Sequence, residues 1–257
     1  MTNKLVISLA KDKGGSTGST AARYMAKEIA KEYPCVVIDL DYQPRNVTRE
    51  HFGIEDPDLT MADVLRGNKN DDGGYDKVNL KDILIEVSPN LFIAPSSRKL
   101  KSIEQWLNEE VTKFVALRMA ISKLDMKCAI LIDVPTGLGT LSINALTACN
   151  YVISPVKADP NAWMDLGNVV NILPDIQAAA NLTVTPVHLG CVVGAYRADW
   201  SRHTECLRSL AYHNYNVLGS IPMTESVTRR DCVLTHHYGL AVQKMWEAIR
   251  RDRKCQS

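Results

Sequence analysis

A glycine-rich turn between an apolar run and a helical pattern constrains this chain more than any other feature of its sequence. Residues 5–10 form the apolar run, and residues 21–30 carry apolar side chains at helical spacing. Between them, residues 11–20 have the sequence KDKGGSTGST. A strand, a glycine-rich turn and a helix in this order direct backbone N–H groups and the positive end of a helix toward an anion. The pattern predicts a phosphate-binding loop, with nucleotide phosphate as its natural ligand.

The turn departs from the common phosphate-loop pattern, the Walker A motif, at the lysine. In G-x-x-x-x-G-K-[ST] that lysine reaches the β- and γ-phosphates, and the hydroxyl residue binds magnesium. One alignment places Lys13 at the first glycine and Ser19 at the lysine. An ungapped alignment to K-G-G-x-G-K-[ST] instead places Thr17 at the second glycine, Gly18 at the lysine and Ser19 at the hydroxyl residue. Both registers lack the usual loop lysine.

The tripeptide Lys13-Gly14-Gly15 resembles the start of the deviant phosphate loop of the ParA/MinD family. The segment CVVIDLDYQ at 35–43 is similar to the second strand of that family, which ends in D-x-D-P-Q, although Tyr42 stands where proline is usual. Further similar segments are the magnesium-side strand and second switch at 129–139, the following helix and strand at 144–156, and the strand before the adenine-side loop at 218–222.

Strands alternate with helical stretches along the chain, which is typical of a parallel sheet covered on both faces. The resemblance, over about residues 4–240, implies the same α/β fold class: a doubly wound, mainly parallel sheet with helices on both faces, as in P-loop NTPases. We expect one ParA-like nucleotide-binding domain over residues 1–257, with a polar basic tail at about 250–257. Further strands are expected at 91–95, 129–132, 151–155, 184–193 and 217–221. Helices are expected at 59–65, at 102–124 as one or two, and from near Gly239, with a surface loop at 68–76.

Composition agrees with one large α/β domain. The chain has 257 residues, 46% of them apolar, and a formal net charge of +1, so any nucleic-acid contact has to be a local basic patch. The seven cysteines show neither C-x-x-C spacing nor an even disulfide framework, which favours a reducing cytoplasm. No apolar run approaches the roughly 20 residues of a membrane span. We therefore expect a cytoplasmic protein.

Three aspartates follow apolar strands of the predicted sheet. Asp39 and Asp41 are expected to end one strand with their side chains pointing the same way, and Asp133 closes another. Each is also explained as a strand cap, but together they favour a magnesium nucleotide. The resemblance implies ATP or ADP with Mg²⁺, an attacking water oriented by Asp41, and a metal near Asp39, Asp133 and the hydroxyl of Thr20 or Ser19. The expected nucleotide-binding residues are Lys13, Gly14, Gly15, Ser16, Thr17, Gly18, Ser19, Thr20, Pro222 and Met223.

The absent loop lysine bears on activity. The loop lysine would stabilise negative charge in the transition state, and the loss of a comparable hydrogen-bond donor raises the activation free energy by roughly 2.7–4 kcal/mol. Hydrolysis of ATP to ADP and phosphate is therefore expected to be weak or absent. The resemblance implies that Lys13 acts across a dimer interface, and Lys13 is a candidate to replace the missing cation from its own loop or from the partner. Lys157 is a second candidate. A solvated surface position is the simpler interpretation for Lys157, and even more so for Lys11.

The resemblance also implies partners. ParA-type proteins form homodimers when ATP is bound, bind DNA non-specifically and position a cargo through a ParB-like or equivalent adaptor protein. Such a cargo is a plasmid, a chromosome region or a protein organelle such as the carboxysome. We therefore expect nucleoid association. The candidate DNA-binding residues are Arg229, Arg230, Arg250, Arg251, Arg253 and Lys254.

Three other functions are alternatives. A MinD-like membrane partner requires an amphipathic C-terminal helix, and few apolar residues follow Ile249, so we expect no membrane attachment. A catalytically silent regulator or adaptor would bind nucleotide without turnover, or not at all. A metabolic ligase or reductase-partner ATPase of the same fold would act with a small molecule or metal cluster, without an ATP-dependent effect on DNA.

Overall fold

An eight-stranded sheet forms the centre of the fold. The computed structural model describes residues 4–15, 17–183, 185–223 and 227–255. The strands among these residues are β1 (Leu5–Leu9), β2 (Cys35–Asp39), β3 (Asn68–Lys69), β4 (Tyr75–Asp76), β5 (Ile85–Ser88), β6 (Leu91–Ala94), β7 (Ala129–Asp133), β8 (Tyr151–Lys157), β9 (Val187–Tyr196) and β10 (Val217–Pro222). All except β3 and β4, which form a separate pair, belong to the eight-stranded sheet. The α-helices are α1 (Gly18–Ala30), α2 (Met61–Arg66), α3 (Leu100–Leu107), α4 (Ala116–Ser122), α5 (Thr140–Ala148), α6 (Ala162–Ala179), α7 (Ser201–Tyr212) and α8 (Val227–Cys255).

The order of strands in the sheet is β10-β9-β8-β1-β7-β2-β6-β5. Every pair of neighbours is parallel except β5 and β6, which are antiparallel at the edge. Parallel neighbours require crossover connections, which the helices between them supply. This arrangement confirms the predicted α/β fold class.

Side chains of the central strands enter the two faces of the sheet in alternation. In β1, Leu5, Ile7 and Leu9 pack in the cluster that contains the apolar faces of α1 and α8. Val6 packs in the cluster on the opposite face, with residues of α2 to α6. Because both faces are covered, the central strands are nearly continuous apolar runs rather than alternating ones, and Ser8 in β1 and Ser154 in β8 are buried polar exceptions.

The last helix is longer than the sequence predicts, and the expected start near Gly239 is wrong. α8 begins at Val227, and Gly239 lies inside it, where α8 crosses α1. A Cβ at Gly239 would come within 3.2 Å of Glu28 Oε2, and Tyr24 of α1 stacks on Tyr238 with ring centroids 5.5 Å apart. The glycine therefore permits close helix packing instead of marking a helix end. Residues 250–255 continue α8, so the expected tail is helical as far as it is described.

Several short features differ from the sequence-based expectations. The unpredicted strand β5 is a four-residue edge strand whose side chains alternate between half-buried and exposed, too short for a clear pattern. The expected loop at 68–76 contains the antiparallel pair β3–β4. The stretch 102–124, expected to form one or two long helices, contains instead two short helices, α3 and α4, with turns between them, and α3 begins at Leu100. Among the described residues, no helix combines the length and apolarity needed to cross a bilayer.

Candidate nucleotide-binding site

Three parallel strands end side by side at the candidate site. The strands β1, β7 and β2 are neighbours, and Leu9, Asp133 and Asp39 lie in register across them. The loop after β1 and the two aspartates are therefore at the same carboxyl edge of the sheet. This edge is where open α/β sheets bind their ligands.

The loop after β1 ends at Gly18, the first residue of α1. Gly15 and Thr17 have left-handed backbones, with φ of 75° and 63°. Among the described residues, a Cβ at Gly15 would meet no atom within 4 Å, and a Cβ at Gly14 would meet only Thr136 Oγ1, at 3.7 Å. The two glycines thus leave space beside the backbone that a ligand can enter. Ser16, also expected to bind nucleotide, lies outside the described residues.

Ser19 is the hydroxyl residue that faces the acidic strand end. Its Oγ donates to Asp133 Oδ2 at 2.6 Å, whereas Thr20 follows in the first turn of α1 and is half-buried. Since Gly18 opens the helix and Ser19 meets Asp133, the geometry matches the ungapped register of the loop.

The Ser19–Asp133 pair fits a magnesium nucleotide. Among the described residues, no group of three or more His, Cys, Asp or Glu side chains is arranged to hold a metal ion. Mg²⁺ in nucleotide sites takes only one or two carboxylates and completes its shell with phosphate oxygens and water. A hydroxyl and a carboxylate beside an open phosphate loop match that requirement.

Lys11 is buried, so the expectation that it is solvated is wrong. Only 7% of its side chain is exposed, and Nζ lies 3.0 Å from Asp133 Oδ1. Burial by itself would lower the pKa of Lys11, but the charge and hydrogen bond of Asp133, with smaller contributions from Asp41 and Asp39, hold it above its ordinary value. Lys11 is therefore a buried ammonium group at the centre of the candidate site.

Asp39 is directed into the segment that follows β2. Its Oδ2 accepts hydrogen bonds from the backbone N–H and the hydroxyl of Thr48, at 2.9 and 2.6 Å, and Oδ1 accepts from Asp41 N–H at 2.9 Å. Burial and the nearby charge of Asp133 raise the pKa of Asp39, although the hydrogen bonds of Thr48 and Asp41 oppose this. Asp39 thus fixes the turn after β2, and its place near a metal stays a prediction.

Asp41 lies beyond the end of β2, so the expectation that it shares a strand with Asp39 is wrong. Its Oδ1 accepts from Gln43 N–H at 3.0 Å, and its main-chain carbonyl accepts from Asn46 Nδ2 and Ser96 Oγ. Burial raises the pKa of Asp41, against the opposing effects of Gln43 and Lys11. Gln43 thus binds one oxygen of the Asp41 carboxylate, and the orientation of an attacking water by Asp41 stays a prediction.

Lys13 reaches away from its own loop, toward α6. Its Nζ lies 2.7 Å from Asp165 Oδ1, and 67% of the Lys13 side chain remains exposed. The hydrogen bond and charge of Asp165 raise the pKa of Lys13. One residue earlier, Asp12 Oδ2 accepts from Asn168 Nδ2 at 2.7 Å. Helix α6 thus holds the beginning of the loop through two polar contacts that the sequence analysis missed.

A cleft of about 280 Å³ opens beside the beginning of the loop. Residues 10–14, the end of β8 and the first turns of α6 line it, and both Lys11 and Lys13 are among the lining residues. Lys157, at the end of β8, lies in the same cleft and is exposed, which confirms the expected solvated position. Buried Lys11 is therefore adjacent to a space that is open to a ligand.

The expected adenine-side residues lie at the end of β10, beside the end of β9. Pro222 is in register with Tyr196, and Met223 N–H donates to the Tyr196 carbonyl at 2.9 Å. Met223 is 54% exposed. The phosphate loop packs directly against Gly194 of β9. A Cβ at Gly194 would lie 2.0 Å from Thr17 Oγ1, so this close approach requires a glycine. The end of β9 therefore joins the phosphate loop to the expected adenine side.

The candidate DNA-binding cations are separated along α8. Arg229 and Arg230 lie in its first turn, and Arg250 is on the same helix about 30 Å further along at 1.5 Å per residue. Arg250 is exposed, as is Arg251, whose Nη2 lies 3.7 Å from Glu247 Oε2. The side chains of Arg229, Arg230, Arg253 and Lys254 lie outside the described part of the structure. The cations therefore form two groups along the axis of α8, at the beginning and at the end of the helix.

One signal in the sequence points to Lys11. In an extended chain, Lys11 projects to the same side as Leu9, which faces α1, and Gly18 at the beginning of α1 leaves that side free of a side chain. Because the side chains of residues 9 and 11 point to the same side and position 18 has no side chain, the Lys11 side chain has room to point toward the beginning of α1. Asp165 has no comparable signal, because its contact with Lys13 depends on how α6 docks.

The profile of the AAA domain family, AAA_31, matches residues 4–185 of the chain. The sporulation initiation inhibitor protein Soj of Bacillus subtilis is 27% identical over 180 residues, which cover 68% of this chain and 67% of Soj. The structure of cobyrinic acid a,c-diamide synthase from Mycobacterium smegmatis with a bound ATP analogue and magnesium is similar with a TM-score of 0.76 and 24% identity, over 95% of this chain and 96% of that one.

A Cyanothece McdA variant in complex with ATP is similar with a TM-score of 0.80 and 17% identity, over 97% of each chain. The two structural similarities concern the fold, whereas the family match covers most of the chain and includes the loop, the acidic strand ends and the Ser19–Asp133 pair. The chain therefore belongs to the AAA domain family, among its ParA/MinD-like P-loop ATPases.

Proposed function

We propose that this protein is an ATP-dependent dimerising switch of the ParA type that binds ATP and magnesium at the loop between β1 and α1. The observation that carries the proposal is the contact of Ser19 with Asp133 at 2.6 Å, beside a loop that is open at Gly14 and Gly15. The two similar structures contain a bound ATP analogue with magnesium and bound ATP, which supports the proposal. In this arrangement, the loop backbone would bind the phosphate oxygens, and Ser19 and Asp133 would hold the magnesium ion.

Magnesium, when bound, would neutralise charge on the phosphate oxygens. The chain's own residues supply the rest of the mechanism. The positive end of α1 faces the anion, which favours the bound phosphates. Asp41, fixed by Gln43 and Asn46, orients the attacking water, and Lys13 acts at the nucleotide across the dimer interface. The expected reaction is slow hydrolysis of ATP to ADP and phosphate.

Nucleotide-dependent dimerisation is the first test. Size-exclusion chromatography with light scattering should show dimers with ATP and Mg²⁺, and monomers with ADP or without nucleotide. Phosphate release should then accompany the return to monomers. Dimers that form equally well without nucleotide, or a protein that calorimetry shows to bind no ATP, would contradict the proposal.

We also propose that the ATP-bound dimer binds DNA non-specifically and positions a cargo through an adaptor protein, in the cytoplasm and in association with the nucleoid. The exposed Arg250 and Arg251 on α8 support this, and dimerisation would place two such groups on one particle. Retention of the ATP-bound protein on DNA of unrelated sequences should weaken steeply with salt, because released counterions drive such binding. The double variant Arg250→Ala with Arg251→Ala should reduce retention without altering dimerisation.

The glycine at position 18 favours one alternative function. In it, the protein is a catalytically silent regulator or adaptor that binds nucleotide without hydrolysing it, or binds none. The loop has no lysine at the position where Walker A motifs place it. Tight ATP binding without phosphate release would support this alternative. ATP-driven cycles of dimer formation and release would exclude it.

A further inference from the structure

The space that a loop lysine would occupy is filled from the opposite direction. Gly18 is buried at the beginning of α1 and has no side chain. A Cβ built on Gly18 would lie 2.7 Å from Lys11 Nζ and 2.9 Å from Lys11 Cδ. The end of the Lys11 side chain therefore lies where a side chain at position 18 would begin, and the two positions cannot both carry a lysine in this arrangement.

The Lys11 ammonium is also held at the acidic side of the candidate site. Its Nζ contacts Asp133 Oδ1 at 3.0 Å, while Ser19 Oγ donates to the other oxygen of the same carboxylate at 2.6 Å. Lys11 and Ser19 thus flank Asp133. Lysine and hydroxyl are the two side chains that a Walker A motif supplies from consecutive positions. In this chain, the lysine side chain of Lys11 and the hydroxyl of Ser19 come from opposite ends of the loop.

The other lysines near the loop are placed less well. Lys13 is two-thirds exposed and paired with Asp165, and Lys157 is exposed. Among residues whose side chains the structure describes, Lys11 is the only lysine or arginine that is buried. A buried ammonium is costly unless it has a partner, and its charge is screened less than that of a surface lysine. Lys11 combines low solvent exposure with a position on the wall of the open cleft.

We infer that Lys11 is the phosphate-binding lysine of this loop, supplied from the end of β1 in place of the residue missing at position 18. The inference rests on the proposed nucleotide binding and assigns the cation for that same site. On nucleotide binding, Lys11 would turn from Asp133 toward the phosphates, and Asp133 with Ser19 would be free to hold the metal side. Gly18 is required for this arrangement, since any side chain there would displace the Lys11 ammonium.

Exchange of the two residues tests the inference. Binding of a fluorescent ATP analogue with Mg²⁺ is measured for the wild type, Lys11→Ala, Gly18→Lys and the double variant Lys11→Ala with Gly18→Lys. We expect Lys11→Ala to weaken binding about 10- to 100-fold, the effect of one charge-assisted hydrogen bond. Gly18→Lys alone should also weaken binding, because it collides with Lys11. The double variant, which moves the lysine to the Walker A position, should recover to within about threefold of the wild type.

Lys157→Ala is the matched control, since it removes another lysine of the same cleft and should change binding by less than about twofold, as expected of an exposed charge. Thermal unfolding without nucleotide provides an independent readout. Lys11→Ala leaves buried Asp133 without its cation and should lower the melting temperature, whereas the double variant should restore it. If Lys11→Ala does not fold, comparison of the wild type with the double variant still decides the matter.

Two outcomes would overturn the assignment. If Lys11→Ala, shown to be folded by circular dichroism, binds the analogue as tightly as the wild type, Lys11 does not bind phosphate. The same conclusion follows if the double variant folds and binds at least tenfold more weakly than the wild type. In both cases the proposed function survives, because the wild type binds. If the wild type itself binds no ATP, both the function and the lysine assignment fail.

Discussion

At the scale of single residues, Thr17 is held in a conformation that its side chain disfavours. A left-handed backbone is rare for β-branched residues and costs roughly 1–2 kcal/mol. The common motif has glycine at this position, and Thr17 has φ of 63°. We predict that Thr17→Gly leaves the free energy of unfolding unchanged or raises it by up to about 1 kcal/mol, although glycine ordinarily destabilises. Urea denaturation monitored by circular dichroism measures this.

Thr20→Gly is the matched comparison, because Thr20 lies three residues later with its backbone in α1. There the same substitution should cost about 0.5–1 kcal/mol, from the lower helix propensity of glycine. Equal losses at the two positions would show that Thr17 is not strained. The residue scale is also where the sequence is least informative, since neither the strain at Thr17 nor the burial of Lys11 follows from residue type.

At the scale of elements, α6 restrains the residue that the family resemblance assigns to the dimer interface. Lys13 Nζ is paired with Asp165 Oδ1 at 2.7 Å. Lys13 therefore has to break its contact with α6 of the same subunit before it can reach a partner subunit. Exposed ion pairs such as this one contribute little to stability, because solvent and salt screen them. We predict that Asp165→Asn strengthens ATP-dependent dimerisation by up to about fivefold. Sedimentation velocity at several protein concentrations measures the dimerisation constant.

Asn168→Ala is the control for that experiment, because it removes the contact with Asp12 and leaves the Lys13 pair in place. Weaker dimerisation of Asp165→Asn would mean that Asp165 places Lys13 for the partner instead of restraining it. Elements of this kind are predictable only in part. Apolar runs place β1, β2 and β7, and hence Asp133, but the contact of Lys11 with Asp133 joins residues 122 positions apart and depends on side-chain packing.

At the scale of the whole molecule, the fold should lose stability in mild acid through His188 on β9. Its Nε2 lies 3.1 Å from Ser154 Oγ of β8, its ring meets Tyr215 edge-on, and burial lowers its pKa to about 4 from 6.5. A lowered pKa means that the folded state disfavours the proton. The contribution of His188 is therefore complete above pH 6.5 and is lost as the pH falls toward 4, by up to about 3 kcal/mol.

The variant His188→Gln keeps a polar side chain near Ser154 but does not titrate in this range. Its free energy of unfolding should fall less steeply than that of the wild type between pH 6.5 and 4, and urea denaturation across this range measures the difference. Parallel curves for the two proteins would show that His188 does not control acid stability. The family resemblance predicts a mainly parallel sheet, whereas the strand order that places β8 beside β9 and the polar contact between these strands come from the structure alone.

The crossing of α8 over α1 has a mechanical consequence. The stacked rings of Tyr24 and Tyr238 join α8 to α1, the helix that begins at the phosphate loop. From Tyr238 to the described end of α8 at Cys255, the helix extends about 25 Å at 1.5 Å per residue. A tilt of α8 by about 10° at this contact would move Cys255 by about 4 Å, and Arg250 and Arg251, which lie about 18–20 Å along the helix, by about 3 Å. Any small rotation of α8 about this contact would therefore produce its largest displacement at the arginine-bearing end of the helix.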